Sequence, residues 1–357
     1  MSLHHHYARH PPCELPAIAH PTVTLANGSI PSVLFMTKST WVRLPLLLVI
    51  MVAVSVVANL VVSALDGSAV GGLVAGVSMA VLAVVAYRWA VRWLERPTAS
   101  EVALPPRGLG SGVLTGCGLF AVTIGVIALA GGYRVTGWGS FGGAVALLGL
   151  MASVAVTEEL LFRAILFRFA EQWVGTWGAL AISSVLFGLP HLVNPGATLF
   201  GALAIAVEAG GMLGAAYAAT RTLWLPIGLH LGWNFAQAGI FGATVSGADT
   251  DTVGLLRAVS SGPSLISGGG FGPEASVFAL LACAVPTVVL LRLARRRGRL
   301  LPPARRRPAG PAGPAAPAGP AGPAAPAGPA GPAGPAGPAG LAAPADPAAG
   351  STGVAGR

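Results

Sequence analysis

Ionisable side chains are rare within the long apolar segments of this 357-residue chain, and the few that occur define a candidate site. The acids are Glu158, Glu159 and Glu208, and the histidines are His191 and His230. A charged side chain inside a bilayer is costly and usually serves a function. Carboxylates and imidazoles are common general bases, so these residues predict acid–base chemistry.

The first motif is Glu158-Glu159-Leu-Leu-Phe-Arg163. Residues four apart share a face of an α-helix, so the spacing predicts an ion pair between Glu159 and Arg163. Glu158 is rotated away by about 100° and is predicted to lack that partner. An unpaired carboxylate among apolar groups suits a general base. An ion pair that only joins helices would explain Glu159 and Arg163, but not Glu158.

Two further motifs contain the histidines, each four residues from a second motif residue. Phe187 precedes His191, and His230 precedes Asn234. A histidine and an amide on one face offer two hydrogen-bond donors, which suits an oxyanion site. Taken alone, His191 is also explained as a structural histidine, and hydrogen bonding between helices explains His230 and Asn234 equally well.

The composition predicts the elements that must position these residues. The chain is 54% hydrophobic and only 9% charged, with a mean hydropathy of +0.73. Soluble domains carry about 25% charged residues, so a soluble globular protein is excluded. We predict an all-α fold, a polytopic bundle of about eight transmembrane helices, from apolar runs of roughly 20 residues. The runs are 44–64, 70–91, 111–132, 142–170, 175–192, 197–220, 222–243 and 275–294.

Distances along the chain predict that the three motifs converge. A turn is expected near Gly175, between the fourth and fifth segments. Glu158 lies 17 residues before it (175 − 158) and His191 lies 16 after it (191 − 175), so both are expected at one depth, roughly 25 Å from the turn. Asn234 is 13 residues beyond Arg221, or about 20 Å from the same side.

The formal net charge of +9 is concentrated in one cluster beside the last apolar segment. Its eight arginines are Arg292, Arg295, Arg296, Arg297, Arg299, Arg305, Arg306 and Arg307. Without them the charge is 9 − 8 = +1, so we expect a cytoplasmic membrane anchor and no nucleic-acid partner.

Charges at the ends of the spans predict a multi-pass protein of the cell membrane with both termini in the cytoplasm. The cytoplasmic charges are Lys38, Arg43, Arg88, Arg92, Arg96, Arg107, Arg163, Arg168 and Arg221. The opposite side carries Asp66, Arg134, Asp249, Asp251 and Arg257.

Three regions are predicted along the chain. Residues 1–40 are a polar tail in which Met36 is the suspected true start, 41–295 form the transmembrane domain, and 296–357 are a basic segment followed by a Pro-Ala-Gly-rich disordered tail. Gly210 and Gly214 form a GxxxG motif, which predicts close helix packing. Cys13, Cys117 and Cys283 share no metal-like spacing and are expected to be free thiols.

The motifs EExxxR, FxxxH and HxxxN, in this order on successive apolar helices, resemble the CPBP family of intramembrane proteases. That family comprises the CAAX-processing (Rce1-like) endopeptidases and bacteriocin-processing relatives, often labelled Abi or metalloproteases. The resemblance covers about residues 100–243. It implies an intramembrane endopeptidase whose substrate is a membrane-associated protein or peptide.

By that resemblance, Glu158 and His191 activate the water, and His230 and Asn234 hold the oxyanion. The other motif positions are occupied by Glu159, Arg163 and Phe187. Glu158, His191 and His230 could form a zinc site with an open position. No HExxH motif occurs, and we favour a reaction without cofactor. A transporter with Glu208 on a proton path, or a catalytically silent scaffold, is the alternative.

Overall fold

The computed structural model of the protein describes residues 39–65, 68–95, 98–248 and 251–306. Several positions used above therefore lie outside the described residues. They are Cys13, Met36, Lys38, Asp66, Arg96, Asp249 and Arg307, together with the N-terminal and Pro-Ala-Gly-rich tails.

Helices make up most of the described chain, which confirms the predicted all-α polytopic bundle. The α-helices are α1 (Thr40–Leu65), α2 (Ala69–Leu94), α3 (Leu109–Leu129), α4 (Phe141–Glu159), α5 (Arg168–Gly188), α6 (Leu199–Ile205), α7 (Gly211–Thr220), α8 (Trp224–Asn234), α9 (Ser264–Ser267) and α10 (Val277–Arg296). Short π-helical stretches continue α4, α6 and α8, and they span Leu160–Phe167, Ala206–Gly210 and Phe235–Ile240. Short 3₁₀ turns occupy Ser100–Val102, Leu189–Val193, Pro273–Ala275 and Ala304–Arg306.

Each of the eight predicted segments overlaps one or more of these helical runs. Within the described ranges, six helical runs are long and apolar enough to cross a membrane, and one of them, Phe141–Val193, contains both the fourth and fifth predicted segments. The seventh segment is shorter, with 11 residues in α8 and 6 in the π-helical stretch that follows. The number of complete crossings therefore stays a prediction.

The predicted turn at Gly175 is confirmed. Gly175 has φ 73° and ψ 177° inside α5, a backbone conformation that favours glycine. A Cβ atom there would lie 2.6 Å from the carbonyl oxygen of Leu301. The backbone N–H of Thr176 donates to that carbonyl at 2.9 Å. The chain therefore reverses at Gly175, and the segment after α10 packs against the turn.

The GxxxG motif packs α7 and the preceding π-helical stretch against α5, as predicted. A Cβ atom on Gly210 would lie 2.8 Å from the Cα of Ser184, and one on Gly214 would lie 2.6 Å from a methyl carbon of Leu180. A side chain at Gly210 would push the two helices apart, because it would meet backbone, whereas one at Gly214 would displace the Leu180 side chain. This close approach brings Glu208 near α5.

A two-stranded antiparallel sheet, which the sequence did not predict, joins two connections at one end of the bundle. Strand β1 (Tyr133–Trp138) pairs with β2 (Leu256–Ser260), and Tyr133 lies opposite Ser260. The Tyr133 hydroxyl donates to the carbonyl of Phe241 at 2.6 Å. The sheet thereby holds the loop that follows the third motif.

Ion pairs and arginine contacts gather at one end of the bundle, around the Gly175 turn. Arg168 forms two hydrogen bonds with Glu95, at 2.7 and 3.0 Å, and Arg221 pairs with Glu171. Arg297 donates to the carbonyl of Ala219 near the end of α7 at 3.1 Å. Cations at helix C-termini are favourable.

Arg163 does not belong to this basic end, although the topology argument counted it there. Its side chain is fully buried and pairs with Glu159. The prediction that Arg163 lies with the cytoplasmic charges was wrong. A carboxylate partner on the same helix allows this arginine to lie inside the bundle.

The outer surfaces of the long helices are apolar and exposed, as a lipid-facing surface must be. Examples are Val49 and Leu60 of α1, Val81 of α2, and Leu281 and Val285 of α10, each more than half exposed. Exposed apolar surface on this scale is unfavourable in water and favourable in hydrocarbon. The chain is a multi-pass integral membrane protein.

Candidate active site

One cavity of about 590 Å³ lies between α1, α4, α5, α8 and the stretch around Glu208. Its volume suits a peptide segment or another ligand of comparable size. Five of the seven motif residues line it, namely Glu158, Phe187, His191, His230 and Asn234. The predicted convergence of the three motifs is therefore observed, and the remaining two motif residues lie behind the cavity wall.

Glu159 and Arg163 form the predicted ion pair, with 2.7 Å between Oε1 and Nη1 and no exposure of either side chain. Arg163 also donates to the carbonyls of Ala209 and Gly210, at 3.2 and 3.4 Å. Its guanidinium carbon lies 4.4 Å from the ring centre of Phe187, within cation–π range. This buried arginine therefore connects the first two motifs to the Ala206–Gly210 stretch.

Glu159 has a second partner that helical spacing could not predict. Its Oε1 lies 3.1 Å from Nδ1 of His230, which is 71 residues away in sequence. A carboxylate only accepts hydrogen bonds, so Nδ1 of His230 carries the hydrogen. The contact fixes the imidazole ring and directs Nε2 toward Glu158, whose Oε2 is 3.8 Å away. Glu159 thus positions His230.

Glu158 is less enclosed than the sequence implied. Its side chain is 28% exposed and faces the cavity. The ion pair of Arg163 is with Glu159 and not with Glu158, as the helical spacing predicted, but Nε2 of His230 lies 3.8 Å from Oε2 of Glu158, within ion-pair distance. Its exposed carboxylate is accessible to water, which a general base for hydrolysis requires.

His191 follows α5 in the 3₁₀ turn Leu189–Val193, and its side chain is half-buried. Nδ1 lies 2.9 Å from the carbonyl oxygen of Phe187, one turn earlier. A carbonyl only accepts, so Nδ1 donates and Nε2 of the neutral ring has an unshared pair for another donor. Pro190 lies in this turn and lines the cavity beside His191.

Phe187 separates the two histidines. Its ring centre lies 5.4 Å from that of His191 and 5.9 Å from that of His230. Phe162 contacts it edge-on at 5.1 Å. Because Arg163 lies over the same ring, Phe187 packs against residues of all three motifs. Its place in the motif is therefore explained by packing.

Asn234 lies on α8 four residues after His230 and is 8% exposed. Both side chains line the cavity, so the predicted shared face is observed. The π-helical stretch Phe235–Ile240 begins directly after Asn234, and Leu160–Phe167 begins directly after Glu159. Such stretches occur frequently at functional sites because they redirect side chains within a helix.

Two more carboxylates line the cavity. Glu208, which sequence reasoning left without a role, is 2% exposed, and Glu274, which it missed, is 1% exposed. The thiol of Cys283 lies 3.7 Å from Oε2 of Glu208. Gln237 and Ser246 hydrogen-bond to Glu274, and burial raises the pKa of the Glu274 carboxyl. Glu274 immediately precedes the last apolar run, so only packing could reveal its place.

The possible zinc ligands do not fit a metal site in this arrangement. In the described ranges, no three His, Cys, Asp or Glu side chains are gathered closely enough to hold a metal ion. His191 and His230 each use Nδ1 for a hydrogen bond within the protein and keep Nε2 for another partner, as histidine metal ligands commonly do, so it is the spacing of the side chains that does not fit. The chemistry considered below therefore uses the side chains alone.

Comparison with known proteins finds a family that this part of the chain is similar to. Residues 140–236 match the family described as "Type II CAAX prenyl endopeptidase Rce1-like". The match spans about a quarter of the chain and contains all three motifs, so the resemblance is confirmed over a narrower range than 100–243. Neither a curated protein nor a solved structure matches the chain. The family comprises proteases.

Proposed function

We propose, from the premise that residues 140–236 form an Rce1-like domain, that this membrane protein is an endopeptidase acting within the bilayer. Its substrate would be a membrane-associated protein or peptide. The observation that supports the proposal is the convergence of Glu158, His191, His230 and Asn234 on one cavity. Hydrolysis of a peptide bond needs an activated water and a stabilised oxyanion, and these four side chains can supply both.

Glu158 and His191 would activate the water. The Glu158 carboxylate is exposed to the cavity, and Nε2 of neutral His191 can accept a hydrogen bond. Glu158 takes a proton as the water oxygen bonds to the substrate carbonyl carbon. It then gives that proton to the leaving nitrogen as the C–N bond breaks, which restores the carboxylate and balances the reaction.

His230 and Asn234 would stabilise the oxyanion. Because Nδ1–H of His230 is committed to Glu159, Nε2 can donate only from the imidazolium form. The imidazolium has carboxylate oxygens of Glu159 and Glu158 at 3.1 and 3.8 Å. The amide of Asn234, on the same face of α8, would supply the second donor. Such donors act most strongly where water is excluded.

The cavity extends to α1, which supports entry of a substrate from the bilayer. Val52 and Val56 of α1 belong to its lining, and they are 47% and 52% exposed. An apolar entrance suits a substrate that is anchored in lipid, whether by a prenyl group or by a helix. Prenylated and unprenylated versions of one membrane-anchored peptide would distinguish these substrate classes.

The proposed orientation places both chain termini in the cytoplasm. The basic end around Arg168, Arg221 and Arg297 would face the cytoplasm, in keeping with the positive-inside rule. Reporter fusions at Asp66 and at Arg299 should then report opposite sides of the membrane. The same side for both would contradict the orientation.

The function is tested with purified full-length protein and a library of membrane-anchored peptides, with the products identified by mass spectrometry. Glu158→Gln keeps the size of the side chain and removes the base, so it should abolish cleavage in a folded protein. Asp251→Asn is the matched control, because it removes one carboxylate at an exposed position outside the cavity lining. Full cleavage by a folded Glu158→Gln protein would refute this mechanism.

A further inference from the structure

The wall of the cavity that contains Glu208 and Glu274 has no role in the hydrolysis described above. Glu208 lies in the π-helical stretch Ala206–Gly210, and Glu274 lies in the 3₁₀ turn before α10. The two carboxylates are close enough to interact electrostatically. We call these two residues the acidic wall.

The acidic wall contains acceptor atoms without donors. Oε1 of Glu208 and Oε1 of Glu274 are buried and have no hydrogen-bond partner among the residues that the structure describes. Oε1 of Gln237, whose side chain hydrogen-bonds to Glu274, is likewise unpartnered. Buried polar atoms are normally paired, so three unpartnered acceptors in one place indicate a missing donor.

The missing donor is a cation rather than a neutral group, because the cavity contains an excess of negative charge. Its lining includes the carboxylates of Glu158, Glu208 and Glu274 and no lysine or arginine, and the His230 imidazole lies against Glu158 and Glu159 rather than against the acidic wall. Two buried carboxylates without a counter-charge cost free energy, which a bound cation would offset. The thiol of Cys283, at 3.7 Å, is only a weak donor to Glu208.

We infer that the acidic wall is a subsite for an ammonium or guanidinium group of the substrate. The group would be a lysine or arginine side chain near the cleaved bond, or a free N-terminal amine. This inference deepens the proposed endopeptidase function and rests on it. Glu274 lines the same cavity as Glu158 and His191, so the subsite adjoins the residues assigned to water activation.

The test compares peptides that differ only in one cation. A membrane-anchored peptide carries lysine or the neutral isostere norleucine at one position, with a free or acetylated N-terminus. Binding is measured first, with full-length Glu158→Gln protein, so that the result does not depend on cleavage. Hydrogen bonds to charged groups are worth about 10- to 100-fold in affinity, so the lysine peptide should bind more tightly by roughly that factor.

The variants Glu208→Gln and Glu274→Gln should each bring the lysine-to-norleucine ratio toward one, in binding and in kcat/KM. Asp251→Asn, which removes a carboxylate elsewhere, should keep the ratio. A preference that follows the free N-terminus identifies the cation as the terminal amine and supports the subsite. If one variant does not fold, the other variant and the lysine-to-norleucine ratio of the wild-type protein still test the inference.

No preference for the cation at either place, the lysine position or the free N-terminus, or a preference that survives both variants, would overturn the inference. So would equal loss of turnover for both peptides in Glu274→Gln, because Glu274 would then act through His191. A lysine preference in binding without cleavage of any peptide would leave the subsite standing and count against the endopeptidase function. Cleavage of the peptides without any preference for the cation would support the endopeptidase function and count against the subsite.

Discussion

Buried carboxylates lie on two sides of the cavity, and the two sides differ in what surrounds them. Glu159 contacts the guanidinium of Arg163 and the imidazole of His230 within the protein. Glu208 and Glu274 have no lysine or arginine beside them in the cavity lining. A carboxylate that is paired with a cationic side chain of the protein positions other residues. A carboxylate without such a partner is available to bind a ligand. The predictions below test this difference.

Arg163→Ala should have the largest effect on stability. It removes the guanidinium that pairs with Glu159 and leaves this carboxylate, like those of the acidic wall, without an arginine partner. Breaking a buried ion pair from one side costs about 3–5 kcal/mol of unfolding free energy. We expect a large fall in thermal stability of the purified protein in detergent. A matched double variant, Glu159→Gln with Arg163→Met, leaves no uncompensated charge and should recover much of that stability. Equal destabilisation of both variants would show that packing, not charge, dominates.

Asn234→Ala should reduce the rate while leaving the ion pair intact. It removes one proposed oxyanion donor, which costs roughly 10²–10³ in kcat. Thermal stability should change little, because Asn234 faces the cavity rather than the Glu159–Arg163 pair. Steady-state kinetics beside thermal unfolding separates the two effects. Loss of stability in proportion to loss of rate would assign Asn234 a structural role.

Glu208→Gln should have a small effect on stability, opposite in sign to Glu159→Gln. It removes a buried charge that lacks a resident cation, so thermal stability should stay equal or rise, by up to about 1 kcal/mol of unfolding free energy. Glu159→Gln deprives Arg163 of its partner and should lower stability. Both variants are measured in the same detergent without peptide. A fall in stability for Glu208→Gln as large as for Glu159→Gln would contradict the proposed difference between carboxylates with and without a cationic partner in the protein.

Treatment with a chelator should have no effect on cleavage, because the donor set does not fit a zinc site. Activity is compared before and after dialysis against EDTA, and the zinc content of the purified protein is measured in parallel. Stoichiometric zinc that is lost together with activity would require a metal-dependent mechanism involving Glu158, His191 and His230.

Local spacing predicted those parts of the site that lie within one helix or one hairpin. The Glu159–Arg163 pair and the shared face of His230 and Asn234 follow from the helical repeat alone. The turn at Gly175 followed from its place between the fourth and fifth apolar segments. These features were predictable because each depends on residues that are close in sequence.

Contacts between distant segments could not be predicted in the same way. The contact between Glu159 and His230 joins residues 71 positions apart, and Glu274 reaches the cavity from a turn just outside the last span. For the same reason, the burial of Arg163 and the pairing of β1 with β2 were not predicted. None of these features has a periodic signature in the sequence.

The sequence by itself determined a helical membrane protein and the residue types of its site, because hydrophobic periodicity and scarce buried charge are properties of single segments. Tertiary structure alone decided which carboxylates are paired with a cationic side chain of the protein. Glu158 and Glu159 are neighbours in sequence, yet one faces the cavity and the other pairs with Arg163 behind it. The physical reason is that the energy of a buried charge depends on the groups that packing brings around it.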